Sequence, residues 1–239
     1  MTAPAPARAA LQALAGRYGL SATQRAQLGR LLRVLEADAR APTSVRSPAL
    51  AVNAHIADSL VALELEVTPA ALSIADLGTG AGFPGVVLAI ALPASTVNLI
   101  ESQRSKCAFL AKALAELALE NAQIVCERAE LWAAGRGGQD LVVARALASQ
   151  PVVLEYAAPL LRQGGALLDW RGRRALDEER MSLRAAAELG LDRVAVHRVQ
   201  PFARARTHHL HLFVKAGETP ARFPRRAGAA RKRPLGGAV

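Results

Sequence analysis

Ser73-Ile74-Ala75-Asp76-Leu77-Gly78-Thr79-Gly80-Ala81-Gly82-Phe83-Pro84-Gly85 reads as a short apolar strand, a glycine-rich turn and the start of a helix. Ile74, Ala75 and Leu77 supply the strand, and Pro84 falls in the first helical turn, where a missing N–H is tolerated. The apolar run from Val86 to Leu92 predicts that this helix is buried. Gly78, Gly80 and Gly82 allow backbone conformations closed to other residues and leave no side chain in a ligand's way. A strand, turn and helix of this kind opens a nucleotide-type cofactor site at the carboxyl edge of a parallel sheet. The competing reading is a glycine turn that only joins strand to helix.

What flanks the glycines decides the cofactor class. Gly80-x-Gly82-x-x-Gly85 fits the dinucleotide fingerprint, which alone is a weak signal. Asp76 stands two residues before the first glycine, where a dinucleotide site usually stays apolar. The run Gly78-x-Gly80-x-Gly82 instead resembles the first motif of S-adenosylmethionine (SAM) methyltransferases. SAM has no pyrophosphate; its amino acid tail and sulfonium cation favour nearby acceptors and carboxylates. The next strand, Thr96 to Ile100, runs into Glu101, 23 residues past Gly78, where an acid binds two ribose hydroxyls in either class.

Around this unit the chain changes rhythm. Residues 1–70 carry helical spacing only: Leu11, Leu14 and Tyr18, then Leu28, Leu31, Leu32 and Leu35 behind the N-cap Ser21, then Val52, Ile56, Leu60 and Leu63. Residues 71–215 alternate strand and helix, which predicts a mostly parallel sheet. Strands are expected at 73–77, 96–100, 122–126, 140–144 and 166–170, with 193–199 and 208–214 as a closing antiparallel pair. Residues 216–239 are rich in Pro, Gly and Arg without periodicity and are expected to be flexible.

At 239 residues with 51% hydrophobic content, the chain suits one large core, or one domain with appendages. No apolar run approaches the ~18 residues of a membrane span. The first residues do not read as a signal peptide, so a cytoplasmic protein is expected. Cys107 and Cys126 have no metal-like spacing and read as buried thiols rather than a disulfide framework. The net charge of +10 lies mainly outside the cofactor half. Residues 71–150 carry six basic and seven acidic side chains, whereas the last 25 carry seven and one. That distribution suits a cationic cofactor and a polyanionic partner.

These segments together resemble one family, the bacterial glucose-inhibited division protein B family. The resemblance rests on Asp76 through Gly85, on Glu101-Ser102 with Lys106 and Phe109-Leu110, on Arg128-Ala129-Glu130, on Ala144-Arg145-Ala146 and on Arg171-Gly172. Thr43 to Arg46, His55 to Ser59, and Phe223 to Gly228 with Pro234-Leu235 extend it over nearly the whole chain. It implies a Rossmann-like class I SAM-dependent methyltransferase with a seven-stranded sheet, a helical N-terminal extension and a basic tail. The implied reaction is methylation of guanine N7 in 16S ribosomal RNA. Cofactor contacts are then expected at Gly78, Gly80, Phe83, Glu101, Ala129, Glu130 and Arg145. The chain departs from the family pattern at Ala41-Pro42-Thr43, at Ala54 in place of an arginine, and at Arg171 in place of a lysine.

Guanine N7 has an in-plane lone pair and no proton, so no general base is needed. Catalysis is then alignment and exclusion of water, with Arg145 and Arg171 as candidates to position the guanine. His208, His209 and His211 lie on a strand where only the last two share a face, and no metal is expected. His55, Asp58 and Ser59 read as packed residues; Trp132 and Trp170 read as either packed or base-stacking. The tail residues Arg222, Arg225, Arg226, Arg231, Lys232 and Arg233 read either as a solvated disordered end or as phosphate contacts, the second with SAM binding surviving removal of residues 217–239. The small ribosomal subunit is the expected partner and a monomer the expected state. Two other classes fit part of the pattern: an NAD(P)-dependent oxidoreductase, and a non-catalytic RNA- or ribosome-binding protein with a vestigial pocket.

Overall fold

The computed structural model describes residues 4–237. Helix α1 (Ala5–Arg17) leads to α2 (Ala22–Ala37), whose N-terminus is closed by a reciprocal capping box between Ser21 and Gln24. A third helical segment, α3, covers residues 48–64 and changes pitch along its length. An α-turn (Pro48–Ala51) widens into a π-turn (Val52–Ala57), returns to α (Asp58–Leu60) and tightens to 3₁₀ (Val61–Glu64). Strand β1 (Ser73–Leu77) and helix α4 (Gly85–Ala91) flank the glycine turn. Then follow β2 (Thr96–Ile100), α5 (Arg104–Leu117), β3 (Ala122–Val125), β4 (Gln139–Arg145) and α6 (Gln150–Ala157). The core closes with β5 (Leu161–Arg171), α7 (Leu176–Glu188), β6 (Leu191–Val199) and β7 (His208–Lys215), and a short α8 (Ala229–Lys232) lies in the tail.

The seven strands are ordered β3-β2-β1-β4-β5-β7-β6. The first five are parallel, and β7 runs antiparallel between β5 and β6. Successive strand residues point to opposite faces, and because both faces are covered the central strands are mostly apolar, with Asp76, Asn98 and Asp169 as buried polar exceptions. Ile74, Val97, Leu99, Leu141, Val143 and Leu168 pack under α1 to α5. Ala75, Leu77, Val142, Ala144, Leu167 and Phe213 pack under α6 to α8. The helical N-terminal part therefore completes one face of the sheet.

Strand order reverses between β1 and β4, so the crevice past their carboxyl ends is the topological switch point of the sheet. Two expectations fail here. Cys107, in the first turns of α5, and Cys126, just past β3, form a disulfide with Cα atoms 6.0 Å apart. The helix between two parallel strands returns its start to their carboxyl ends, which brings the two cysteines together. The tail packs instead of trailing: Phe223 and Ala230 are buried in the core under α6 and α7. Apolar residues too sparse to show a period are enough to seat it.

Candidate active site

Asp76 organises the glycine turn from beneath. It is fully buried, and its Oδ2 accepts from Thr79 Oγ1 at 2.5 Å and from the Gly85 N–H at 2.8 Å. Burial pushes its carboxyl up to about 6, against the hydrogen bonds that favour the charged form. Gly85 has to be glycine, because a Cβ there would lie 2.4 Å from Leu99 Cδ2 and 2.7 Å from Asp76 Oδ2. Gly78 takes φ +65°, and its missing side chain leaves room for Leu147. The Thr79 N–H donates to Ile100 O across the turn, which draws the end of β2, and Glu101 after it, against the glycines.

A cavity of about 430 Å³ opens at this switch point, within the ~300–1,000 Å³ usual for ligand sites. One wall is Gly78, Glu101 and Gln103 with Lys106; the opposite wall runs from Glu127 to Glu130. Ala146, Leu147, Tyr156 and the tail residue Arg231 complete it. Glu101 is buried; its Oε1 accepts from the Gln103 N–H at 2.9 Å, and its Oε2 lies 3.8 Å from Lys106 Nζ. The fit to SAM rests on this donor set: an inward acid at the end of β2 for ribose hydroxyls, a glycine for close backbone approach, and the backbone of Ala129 beyond β3. Burial pushes the Glu130 carboxyl up, but hydrogen bonds from the Gly228 N–H and Arg128 outweigh it and hold it below the usual range.

Of the residues expected to touch the cofactor, Gly78, Glu101, Ala129 and Glu130 line this cavity, whereas Gly80, Phe83 and Arg145 do not. Phe83 is buried and stacks on the His55 ring at 4.4 Å. The Arg145 guanidinium lies over the same Phe83 ring. Its Nη1 donates to Ala54 O at 2.9 Å and to Asp58 Oδ2 at 2.8 Å, and its Nη2 approaches His55 Nδ1 at 3.3 Å. Burial, reinforced by Arg145, pushes the His55 imidazole down to about 4. Neutral His55 then accepts at Nδ1 and donates from Nε2 toward Val45 O and Thr43 Oγ1. Within the π-turn the Ala54 carbonyl receives Arg145, and in the α-turn that follows it the Asp58 carbonyl receives Trp170 Nε1 at 2.8 Å.

Arg171, at the end of β5, donates from Nε to buried Asp169 at 2.6 Å and pairs with Glu178 at 3.4 Å. Gln150 bonds both Asp169 and His211, so His211 is a core group. His209 Nδ1 meets Gly172 O, and among the described residues no metal-type cluster gathers. Trp132 packs on Gly135 and Trp170 is held by Asp58, so both tryptophans are buried structural groups. The residues that periodicity could not reveal are Tyr156, Leu147 and Arg231. They reach the cavity from α6, the loop after β4, and the tail. No helix among the described residues is long and apolar enough to cross a membrane.

Comparison with known proteins agrees with this geometry. A family model described as rRNA small subunit methyltransferase G matches residues 27–208. A Rubrobacter xylanophilus protein named ribosomal RNA small subunit methyltransferase G is 39% identical over 198 residues, covering 80% of this chain and 76% of that one. A relative of the same name from a Synechococcus species is 35% identical over 229 residues, covering 90% and 87%. Among solved structures, a SAM-dependent O-methyltransferase from Thermotoga maritima superposes with TM-score 0.53 at 20% identity, over 67% of this chain and 65% of that one. The Methanococcus jannaschii fibrillarin pre-rRNA processing protein gives TM-score 0.53 at 17% identity, over 64% and 70%. At those identities the two structures speak for the fold alone. The oxidoreductase and the vestigial-pocket readings find no support in these relatives. The chain belongs to the rRNA small subunit methyltransferase G (GidB) family and is a SAM-dependent methyltransferase.

Proposed function

We propose that this chain transfers a methyl group from SAM to N7 of a guanine in 16S ribosomal RNA of the small subunit. The observation that supports the reading is the acid-lined cavity at the switch point, beside which the His55 and Asp58 side chains are already engaged. His55 has both ring nitrogens engaged, and Asp58 is committed to Arg145. An acceptor that carries no proton needs neither as a base. SAM, when bound, supplies an electrophilic methyl on a sulfonium centre. Glu101 takes the ribose hydroxyls, Gly78 allows close approach, and Ala129 with Glu130 borders the adenine. Arg145 and Arg171 act by fixing the edge against which the base is aligned. On this reading the enzyme works in the cytoplasm as a monomer.

The test is methyl transfer from labelled SAM to small subunits that lack the native methylation, followed by mapping of the modified base. Label at a guanine N7 of 16S RNA is expected. Label confined to another base, to protein or to the large subunit would overturn the acceptor assignment.

A further inference from the structure

A second cavity, of about 520 Å³, lies between helix α3 and the loop that joins β6 to β7. Val45, Leu50, Asn53 and Ala54 form one wall, and Phe202 and Arg204 the other. Because β6 and β5 are both antiparallel to β7, they run in the same direction. The β6–β7 loop therefore lies at the carboxyl edge, with Gly78, Glu101 and Arg145. The two cavities have no lining residue in common; between them the Ala54 carbonyl accepts from Arg145, and the residues that follow Arg145, Ala146 and Leu147, line the cofactor cavity.

The chemistry of the walls is that of a nucleotide receptor. Phe202 is half-buried and lines the cavity, with the His208 ring set edge-on to it at 5.5 Å, while Leu50 is 65% exposed on the rim. Asn53 is exposed, and its amide has no hydrogen-bond partner among the described residues. An amide can both donate to and accept from a base edge. No carboxylate is among the residues that line the cavity, and Arg204 supplies positive charge there. An apolar slot with one aromatic ring, one free amide and one arginine complements a flat heterocycle attached to a phosphate.

We propose that this cavity receives the acceptor guanine, turned out of its RNA strand, with its ring on Phe202 and its Watson–Crick edge toward Asn53. Recognition along that edge leaves N7 unengaged and turned away from the reading amide. This rests on the guanine-N7 reading above and adds where the base is held. Neither Phe202 nor Asn53 belongs to the cofactor cavity, so changes there separate acceptor binding from SAM binding.

The experiment has two arms. In the first, wild type, Phe202→Ala, Phe202→Tyr and Asn53→Ala are assayed for methyl transfer to unmethylated small subunits, with melting temperature and SAM Kd measured on each. Phe202→Ala is expected to lose roughly tenfold or more in kcat/KM for RNA, the scale of one base–aromatic stack. SAM Kd should stay within about twofold, Phe202→Tyr should retain activity, and Asn53→Ala should fall with Phe202→Ala. Unchanged turnover in both alanine variants, or loss of SAM binding in parallel, would overturn the proposal. In the second arm, guanosine and adenosine monophosphate are titrated into the SAM-loaded protein by saturation-transfer NMR. Preference for the guanosine nucleotide, abolished by Phe202→Ala, is expected; equal binding of both would overturn the assignment to guanine. This arm decides the cavity even if the wild type methylates no RNA, a result that would sink the proposed reaction instead.

Discussion

Arg145 joins strand β4 to helix α3 through a carboxylate, a carbonyl, an imidazole and an aromatic face, and little of its side chain is exposed. Asp58 depends on it. Its other oxygen, Oδ1, is buried without a hydrogen-bond partner, and His208 Nε2 stands off at 3.9 Å. Removing the guanidinium leaves a buried carboxylate uncompensated, which costs about 3–5 kcal/mol. Arg145→Ala should therefore lower unfolding stability in urea by roughly 3 kcal/mol as well as impair methyl transfer. Arg145→Lys should recover part of the stability, because an ammonium supplies the charge but not the fork that reaches Ala54 and Asp58 together. Adding Asp58→Asn to the alanine variant should be less costly than the sum of the two single changes. Additive single and double changes would show that the pair is not coupled. The sequence placed Arg145 correctly at the sheet edge but could not show that its partners come from helix α3, which lies far back in the chain.

At the scale of elements, the Cys107–Cys126 disulfide fastens the start of α5 to the end of the edge strand β3. Gln103 and Lys106 on one side of the bridge, and Glu127 to Glu130 on the other, are opposite walls of the cofactor cavity. Cys126 is exposed, so a thiol reductant has access. The cysteines are 19 residues apart. Closing a loop of that size in the unfolded chain is worth about 3 kcal/mol. Reduction with dithiothreitol should lower the unfolding midpoint and weaken SAM binding in titration, and a Cys107→Ser, Cys126→Ser variant should behave as the reduced protein whether or not the reductant is present. Identical midpoints with and without reductant would remove the bridge from the account. Strands β1, β2 and β4 and the glycine turn were legible because their signals are local: a run of apolar residues, or a glycine where the backbone needs one. The disulfide was not, because its two halves meet only once a helix returns antiparallel between two parallel strands. The π-turn was equally hidden, since the spacing of Val52, Ile56 and Leu60 reads as an ordinary helix and only the folded chain brings Arg145 onto the Ala54 carbonyl within it.

For the whole molecule, the revised element is the tail. Composition predicts a loose, phosphate-seeking end, yet residues past Lys215 cross the α6–α7 face and reach the cofactor cavity. The Arg225 guanidinium and N–H both bond Glu155, a carboxylate that is otherwise completely enclosed. The Gly228 N–H donates to Glu130, and Arg231 donates to Leu147 O at 3.2 Å while lining the cavity. Arg226, Lys232 and Arg233 remain exposed, with no side-chain partner among the described residues, so phosphate contact is left to these three. Removing residues 217–239 should consequently do more than weaken RNA association. It strands Glu155 in the core, opens the apolar surface that Phe223 and Ala230 cover, and takes one wall from the cofactor cavity. A drop in SAM affinity of tenfold or more by calorimetry is expected, on the order of one lost charge-assisted hydrogen bond with its packing. Because the truncation also strips packing from the core, Arg231→Ala supplies the second reading: it removes the cavity contact, leaves Arg225 and Phe223 in place, and should weaken SAM with little change in melting temperature. Replacing Arg226, Lys232 and Arg233 together with glutamine should do the reverse, flattening the salt dependence of RNA binding while SAM affinity holds. If instead SAM binding survives both the truncation and Arg231→Ala, the tail is a separate RNA-binding appendage, as its composition alone suggests, and its seat on the core has no part in holding the cofactor.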